Sequence, residues 1–213
     1  MVLFFTCRGG ECQLYMGRDK HENEDLIQWG VPEDVWFHVD DMSSAHVYLR
    51  LPRGRTIQEL TKDELEDASQ LCKANSIQGS KAGSVTVVYT PWANLKKTAQ
   101  MEVGQVGFHD EKAVLRVHVA AKSNEVLNRL QKSKTERFPN LAQEREAYDA
   151  AVRSERRAAE RARRKEEEQV QRERQREVEE RSYDRIMDGT KMVANTENAA
   201  KYASIQEAEE DFM

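Results

Sequence analysis

Three stretches hold most of the side chains that could do chemistry. The first, MGRDKHENEDLIQWG (16–30), puts Arg18, Asp19, Lys20, His21, Asn23 and Glu24 within seven positions. The second, FHVDDMSSAHVYL (37–49), carries His38, Asp40, Ser44 and His46. The third is a scattered basic set, Lys73, Lys81, Lys96 and Lys97, with Trp92 and His109 in the same loops. A calcium loop beginning at Asp19 needs Gly at its sixth position and Glu at its twelfth. The chain has Glu24 and Gly30 there. HENED lacks the second His that a zinc helix requires four residues on. His38 and His46 are two imidazoles without a placed third ligand, which is weak evidence for zinc. GSKAGS (79–84) does not have the order of a phosphate-binding P-loop, and no GxGxxG is present. Ser44, His46 and Asp40 contain the residue types of a hydrolytic triad, but no nucleophile elbow accompanies them. The expectation is therefore no metal, no cofactor and no assigned catalytic residue.

Nucleic acid is the polar ligand that the residue types fit. Lysines and arginines neutralise phosphates, and an aromatic ring offers a stacking platform for a base. The surface read from the sequence comprises Arg18, Asp19, Lys20, His21, Asn23, Glu24, His38, Asp40, Ser44, His46, Lys73, Lys81, Trp92, Lys96 and Lys97. A net charge of -5 over 213 residues makes any such surface a local patch, not a property of the whole chain.

The elements that must position these residues follow from hydrophobic period and turn chemistry. VLFFTC (2–7) and CQLYMG (12–17) read as strands around an RGGE turn. NEDLIQW is a short helix, opened by His21 or Asn23, with acids in its first turn and closed by Gly30. That assignment leaves Arg18, Asp19 and Lys20 without structural work. DVWFHVD (34–40) and AHVYLRL (45–51) are neighbouring strands. With a period of two, His38 and Asp40 share one face, and Ser44 and His46 share another. Phe37, Val39, Val47 and Leu49 supply core. Thr61 and Glu64 have capping-box spacing at the head of a helix through Ser76. SVTVVYTP (84–91), GQVGF (104–108) and AVLRVHV (113–119) are further strands, and NEVLNRLQK (124–132) is a closing helix. The fold class is α+β: a mostly antiparallel sheet with one long packed helix.

Residues 1–138 form this head. Residues 139–182 change character, alternating charges without Gly or Pro after Pro139. Pairs such as Asp149/Arg153, Glu160/Arg164, Glu168/Arg172 and Glu177/Arg181 sit four apart with the acid first. Val152, Val170 and Val178 are sparse for a heptad seam, so a solvated single helix is expected, with a coiled coil as the alternative. Residues 183–213 read as a flexible, acidic-ended tail. In the most apolar late stretch, Asp110, Glu111, Lys112 and Arg116 would each cost about 2.5–3.5 kcal/mol at mid-bilayer, so no transmembrane span is expected. Three unpaired cysteines suit a reducing, cytoplasmic or nuclear setting.

GRDKHENE, DVWFHVDDMSSAHVYLRL, KANS and VVYTPWANLKKTAQMEVGQVGF resemble the NFACT-R domain over about residues 1–140. The resemblance implies binding to tRNA or rRNA on the large ribosomal subunit, in translation quality control. Arg18, Asp19, Asn23, Glu24, His38, Asp40, Ser44 and His46 fall on its motif blocks, and Lys81, Lys96 and Lys97 in its basic loops. The tail-adding activity of the long factors belongs to a separate N-terminal domain and is not carried over. The leading expectation is a non-enzymatic nucleic-acid-binding module whose charged helix reaches a protein partner. The rivals are a DNA-binding sensor with a signalling or cell-surface role, and a hydrolase of peptidyl-tRNA using His38, Asp40 and His46.

Overall fold

A computed structural model describes residues 1–182 and Met187. The tail expected from 183 onward lies, Met187 apart, outside the described residues. Strands β1 (Val2–Thr6) and β2 (Gln13–Gly17) form the first hairpin. Its turn uses Gly9 and Gly10 at φ +94° and +78°, where a Cβ would strain the backbone. Helix α1 (Lys20–Trp29) leads into β3 (Asp34–Val39) and β4 (Val47–Arg50), an antiparallel pair. Helix α2 (Lys62–Ala74) is followed by β5 (Val85–Pro91) and the short ribbon β6 (Leu95–Lys96) and β7 (Gly107–Phe108). Then come β8 (Leu115–Val119), α3 (Asn124–Lys132), β9 (Thr135–Arg137) and α4 (Leu141–Arg181). The main sheet runs β8-β5-β3-β4-β2-β1-β9, with every neighbouring pair antiparallel. The α+β fold read from the sequence is the fold of the chain.

The sheet is covered on both faces. One face carries Phe5, Leu14, Phe37, Val39, Val47 and Leu49 against Ala68, Leu71 and Cys72 of α2. The other carries Phe4, Tyr15, Trp36, Tyr48 and Val88, with Leu26 of α1 among them. The alternation within β3 and β4 is thus the one expected of a strand buried on both sides. Helix α2 starts as its sequence predicts. The Thr61 hydroxyl accepts from Glu64 N–H, and the Glu64 carboxylate accepts from Thr61 N–H. Helix α1 starts earlier than expected. Its N-cap is Asp19, whose Oδ1 accepts from His21 N–H at 2.8 Å and Glu22 N–H at 3.0 Å. Asp19 therefore has the structural duty that the sequence left unassigned. Replacing it, Asp19→Ala, should lower stability by about 1 kcal/mol in urea unfolding, the usual value of such a cap. Gly30 also acts differently from expectation. Its φ is -58°, so it is no left-handed cap. It is small because a Cβ would collide with the Trp92 indole.

The chain divides into two compact units, Met1–Arg153 and Ser154–Met213. In the first, the opening of α4 is bonded to the head: Arg145 donates to the Gly30 carbonyl, and Tyr148 Oη donates to Glu33 Oε1 at 2.6 Å. The described residues of the second unit continue α4, with Val170 and Val178 exposed. Ion pairs along α4 include Arg145–Asp149, Arg163–Glu167 and Arg164–Glu168, each of these with the base first. This reverses the expected order. In so dense a run, Arg164 has Glu160 four residues behind and Glu168 four ahead, and only a few tenths of a kcal/mol (about 0.2–0.5 per pair) are at stake.

Candidate nucleic-acid interface

Seven of the residues singled out from sequence line one cleft of about 630 Å³: Arg18, Asp19, Lys20, Asn23, His38, Ser44 and His46. It lies beside the turn from β2 into α1, the loop between β3 and β4, and the 103–104 segment. The register that pairs Phe37 with Val47 extends by one step to set His38 opposite His46. Their rings meet edge to face, 4.9 Å apart. Trp36, two residues before His38 on the same face, fixes both. Its ring stacks on His38 at 5.5 Å and 3°, and its Nε1–H donates to His46 Nδ1 at 2.9 Å.

That hydrogen bond assigns the proton of His46. Nδ1 is an acceptor, so the neutral ring carries its hydrogen on Nε2. Burial, with the neighbouring His38 ring, pushes the pKa of His46 down to about 3. Burial lowers His38 as well. The inner wall of the cleft is therefore uncharged at neutral pH. Asn23 is 5% exposed; its Oδ1 accepts from Tyr48 Oη at 3.2 Å, and its Nδ2 has no partner. Tyr48 is itself held by stacking on Tyr15, 5.1 Å away.

The rim is cationic. Arg18 and Lys20 are exposed, and neither side chain has an acidic partner among the described residues. His21 is exposed on the first turn of α1 and outside the cleft. Glu24 turns away from ligand chemistry. Its Oε1 accepts from Lys97 Nζ at 2.8 Å and from Gly104 N–H at 2.6 Å, tying the 97–105 loop to α1.

Several residues read as contacts have internal work instead. Lys73 is fully buried, and its ammonium donates to the carbonyls of Gly83 and Ala120, so it is absent from the surface set. Lys97 spends its donors on Glu24, the Glu102 carbonyl and the Gln105 carbonyl. Trp92 donates to the Ile27 carbonyl, and the Arg145 guanidinium lies over its ring at 5.2 Å, so that face is not open to a base. Asp40 pairs with Arg116 at 3.3 Å. Ser44 Oγ accepts from Val39 N–H and donates to the Ala45 carbonyl. Asp40, Ser44 and His46 therefore do not assemble as a triad. The period-two argument fails at Ser44 because β4 begins only at Val47. Lys81 and Lys96 are exposed but do not line the cleft.

Sequence reasoning missed Trp36, Ile77, Val103 and Gly104. Trp36 carried a usable signal, a ring two residues before His38. Ile77 and Val103 carried none, since their exposure depends on where two loops settle. Among the described residues no group of three potential ligands could hold a metal ion, and no helix is long and apolar enough to cross a membrane.

Comparison with known proteins bears on this cleft. Residues 1–110 match the model of the NFACT protein RNA binding domain. The chain belongs to the NFACT-R family. Among its relatives, the mouse coiled-coil domain-containing protein 25 is 57% identical over 73% of this chain and 76% of its own. The Dictyostelium discoideum homolog is 53% identical over 72% and 74%. The solved C-terminal part of the fibronectin/fibrinogen-binding protein from Streptococcus suis is similar in fold, with a TM-score of 0.51 at 16% identity. That match covers 62% of this chain and about half, 49%, of the solved one. All the cleft-lining residues fall inside the NFACT-R match. The module is thus an RNA-binding domain by family.

Proposed function

We propose that this NFACT-R head recognises tRNA or rRNA on the large ribosomal subunit in translation quality control, and does no chemistry on the RNA. One observation carries the reading: a cationic rim, Arg18 and Lys20, beside a neutral hydrogen-bonding wall, Asn23, His38 and His46, in a single cleft. Cations hold phosphates without regard to sequence, while neutral donors and acceptors discriminate base edges and 2′-hydroxyls. The exposed length of α4 is assigned to a protein or ribosomal contact. The cytoplasm is the compartment this reading requires.

The test is binding of tRNA to the full chain across a salt series, with peptidyl-tRNA included to follow release of the peptide. Affinity should fall steeply as salt rises, because phosphate contacts release counterions. Peptidyl-tRNA should bind without accelerated hydrolysis. Duplex DNA competing as well as tRNA at matched salt would overturn the preference for RNA, and salt-independent binding would overturn the role of the rim.

A further inference from the structure

We infer that the cleft takes one unstacked nucleobase, with Asn23 and His46 donating to acceptor atoms on its edge and Arg18 and Lys20 holding the adjacent phosphates. This rests on the RNA-binding reading and deepens it by assigning the base to a place. Asn23 carries the argument furthest. Its carbonyl oxygen accepts from Tyr48 Oη, and the other end of the amide, Nδ2, is left over. That donor belongs to a residue only 5% exposed and has no acceptor in the protein. Buried donors without acceptors are rare because they are destabilising. An acceptor supplied from outside, through the cleft that Asn23 lines, would complete the group.

His46 adds a second donor of fixed identity. The Trp36 indole occupies Nδ1, which leaves the Nε2–H beside the Gly104 backbone carbonyl in the cleft wall, a donor that a base would share with that carbonyl. Trp36 is in turn braced by Phe108, edge to face at 5.7 Å, so the imidazole cannot readily turn over. The wall is therefore a pair of neutral donors. A phosphate would find no charge there, whereas the oxygens and ring nitrogens of bases are suited to such donors. The one carboxylate lining the cleft, Asp19, has its Oδ1 taken by two backbone amides. Apolar surface is present as well: Ile77 is 78% exposed and Val103 46% exposed, and both line the cleft. They offer contact to the face of a ring. A cleft of about 630 Å³ is within the range of small-ligand sites and admits one nucleotide.

The experiment uses the full chain and two probes of equal charge, octauridylate and an abasic ribose-phosphate octamer. The wild type should bind octauridylate about tenfold more tightly, the worth of well-placed hydrogen bonds and ring contact to a base. Two variants remove the wall. Asn23→Leu takes away the amide; His46→Asn keeps an acceptor for Trp36 and withdraws the Nε2–H. Each should cut the ratio of the two affinities to about threefold, the loss of one of the two hydrogen bonds, while abasic binding persists. The ratio is internally controlled, so partial unfolding does not alter it; if Asn23→Leu fails to fold, His46→Asn decides alone. Equal binding of both probes by the wild type overturns this inference and leaves RNA recognition standing. A ratio that stays at about tenfold in the folded variants also overturns it, by putting the base elsewhere. Failure of the wild type to bind either probe overturns both readings.

Discussion

Reversing both rim charges, Arg18→Glu with Lys20→Glu, should weaken tRNA binding about a hundredfold at physiological salt. The size follows from elementary electrostatics. A unit charge 4 Å from a phosphate is worth about 1 kcal/mol in water, and screening over a Debye length of about 8 Å reduces this further. The double reversal removes two attractions and installs two repulsions, which together approach about 2.7 kcal/mol, or two decades in affinity. The slope of log affinity against log salt should become shallower by about 1.5, the share of two phosphate contacts. Folding should be little affected. Both side chains are exposed, and the bond from residue 18 to Glu22 uses the backbone N–H. Unchanged tRNA affinity in a folded double variant would remove the cleft from the interface. Lys97→Glu would be a poor substitute for this test, because it breaks the tie to Glu24 and two loop carbonyls at once. Lys96→Glu, on an exposed position outside the cleft, tests how far the patch extends.

What the sequence disclosed and what it concealed divide along the range of the interactions. The Thr61/Glu64 capping box was legible because it is completed within four residues. The strands were legible where their alternation was long and apolar, as in β3 and β5. Strand β9 was missed because Thr135–Arg137 is an exposed edge strand with no apolar signature. Lys73 was misread as a surface cation because its two partners, at Gly83 and Ala120, are brought to it only by tertiary folding. Trp92 was misread as a free ring for the same reason, since Arg145 comes to it from α4. Asp19 is the exception. Its cap is local and could have been read, but His21 and Asn23 competed for the same helix start. The cleft was half visible. Family motif blocks brought its residues onto the page, and strand register explained why His38 meets His46. That the Ser44 hydroxyl is engaged by the Val39 and Ala45 backbone, and that Asp40 is drawn to Arg116 of β8, depended on tertiary folding and on β4 beginning only at Val47.

The same histidine pair that makes the cleft wall neutral should make the fold sensitive to acid. Burial is the main cause of the low pKa of His46, about 3 in place of 6.5, and burial lowers His38 too. As pH falls below 6.5 the unfolded chain binds a proton at residue 46 that the native chain does not. Stability therefore falls with falling pH, at up to about 1.4 kcal/mol per pH unit for one such group. At pH 5 the loss through His46 alone should reach about 2 kcal/mol. Glu64 acts in the same direction but later. Burial would raise it, yet the hydrogen bonds from Arg55, Cys12 and Thr61 outweigh that and hold it at about 2 against a usual 4.5. Its stabilisation is complete above 4.5 and is lost as pH drops toward 2. The interval from pH 5 to 6.5 thus isolates the histidines. Urea unfolding at pH 5, 6, 7 and 8 should show a steep decline in the wild type, and His46→Asn, which still accepts from Trp36, should flatten it. An equally steep decline in that variant would mean that residue 46 takes up its proton in the folded state, and that the wall of the cleft is charged in mild acid.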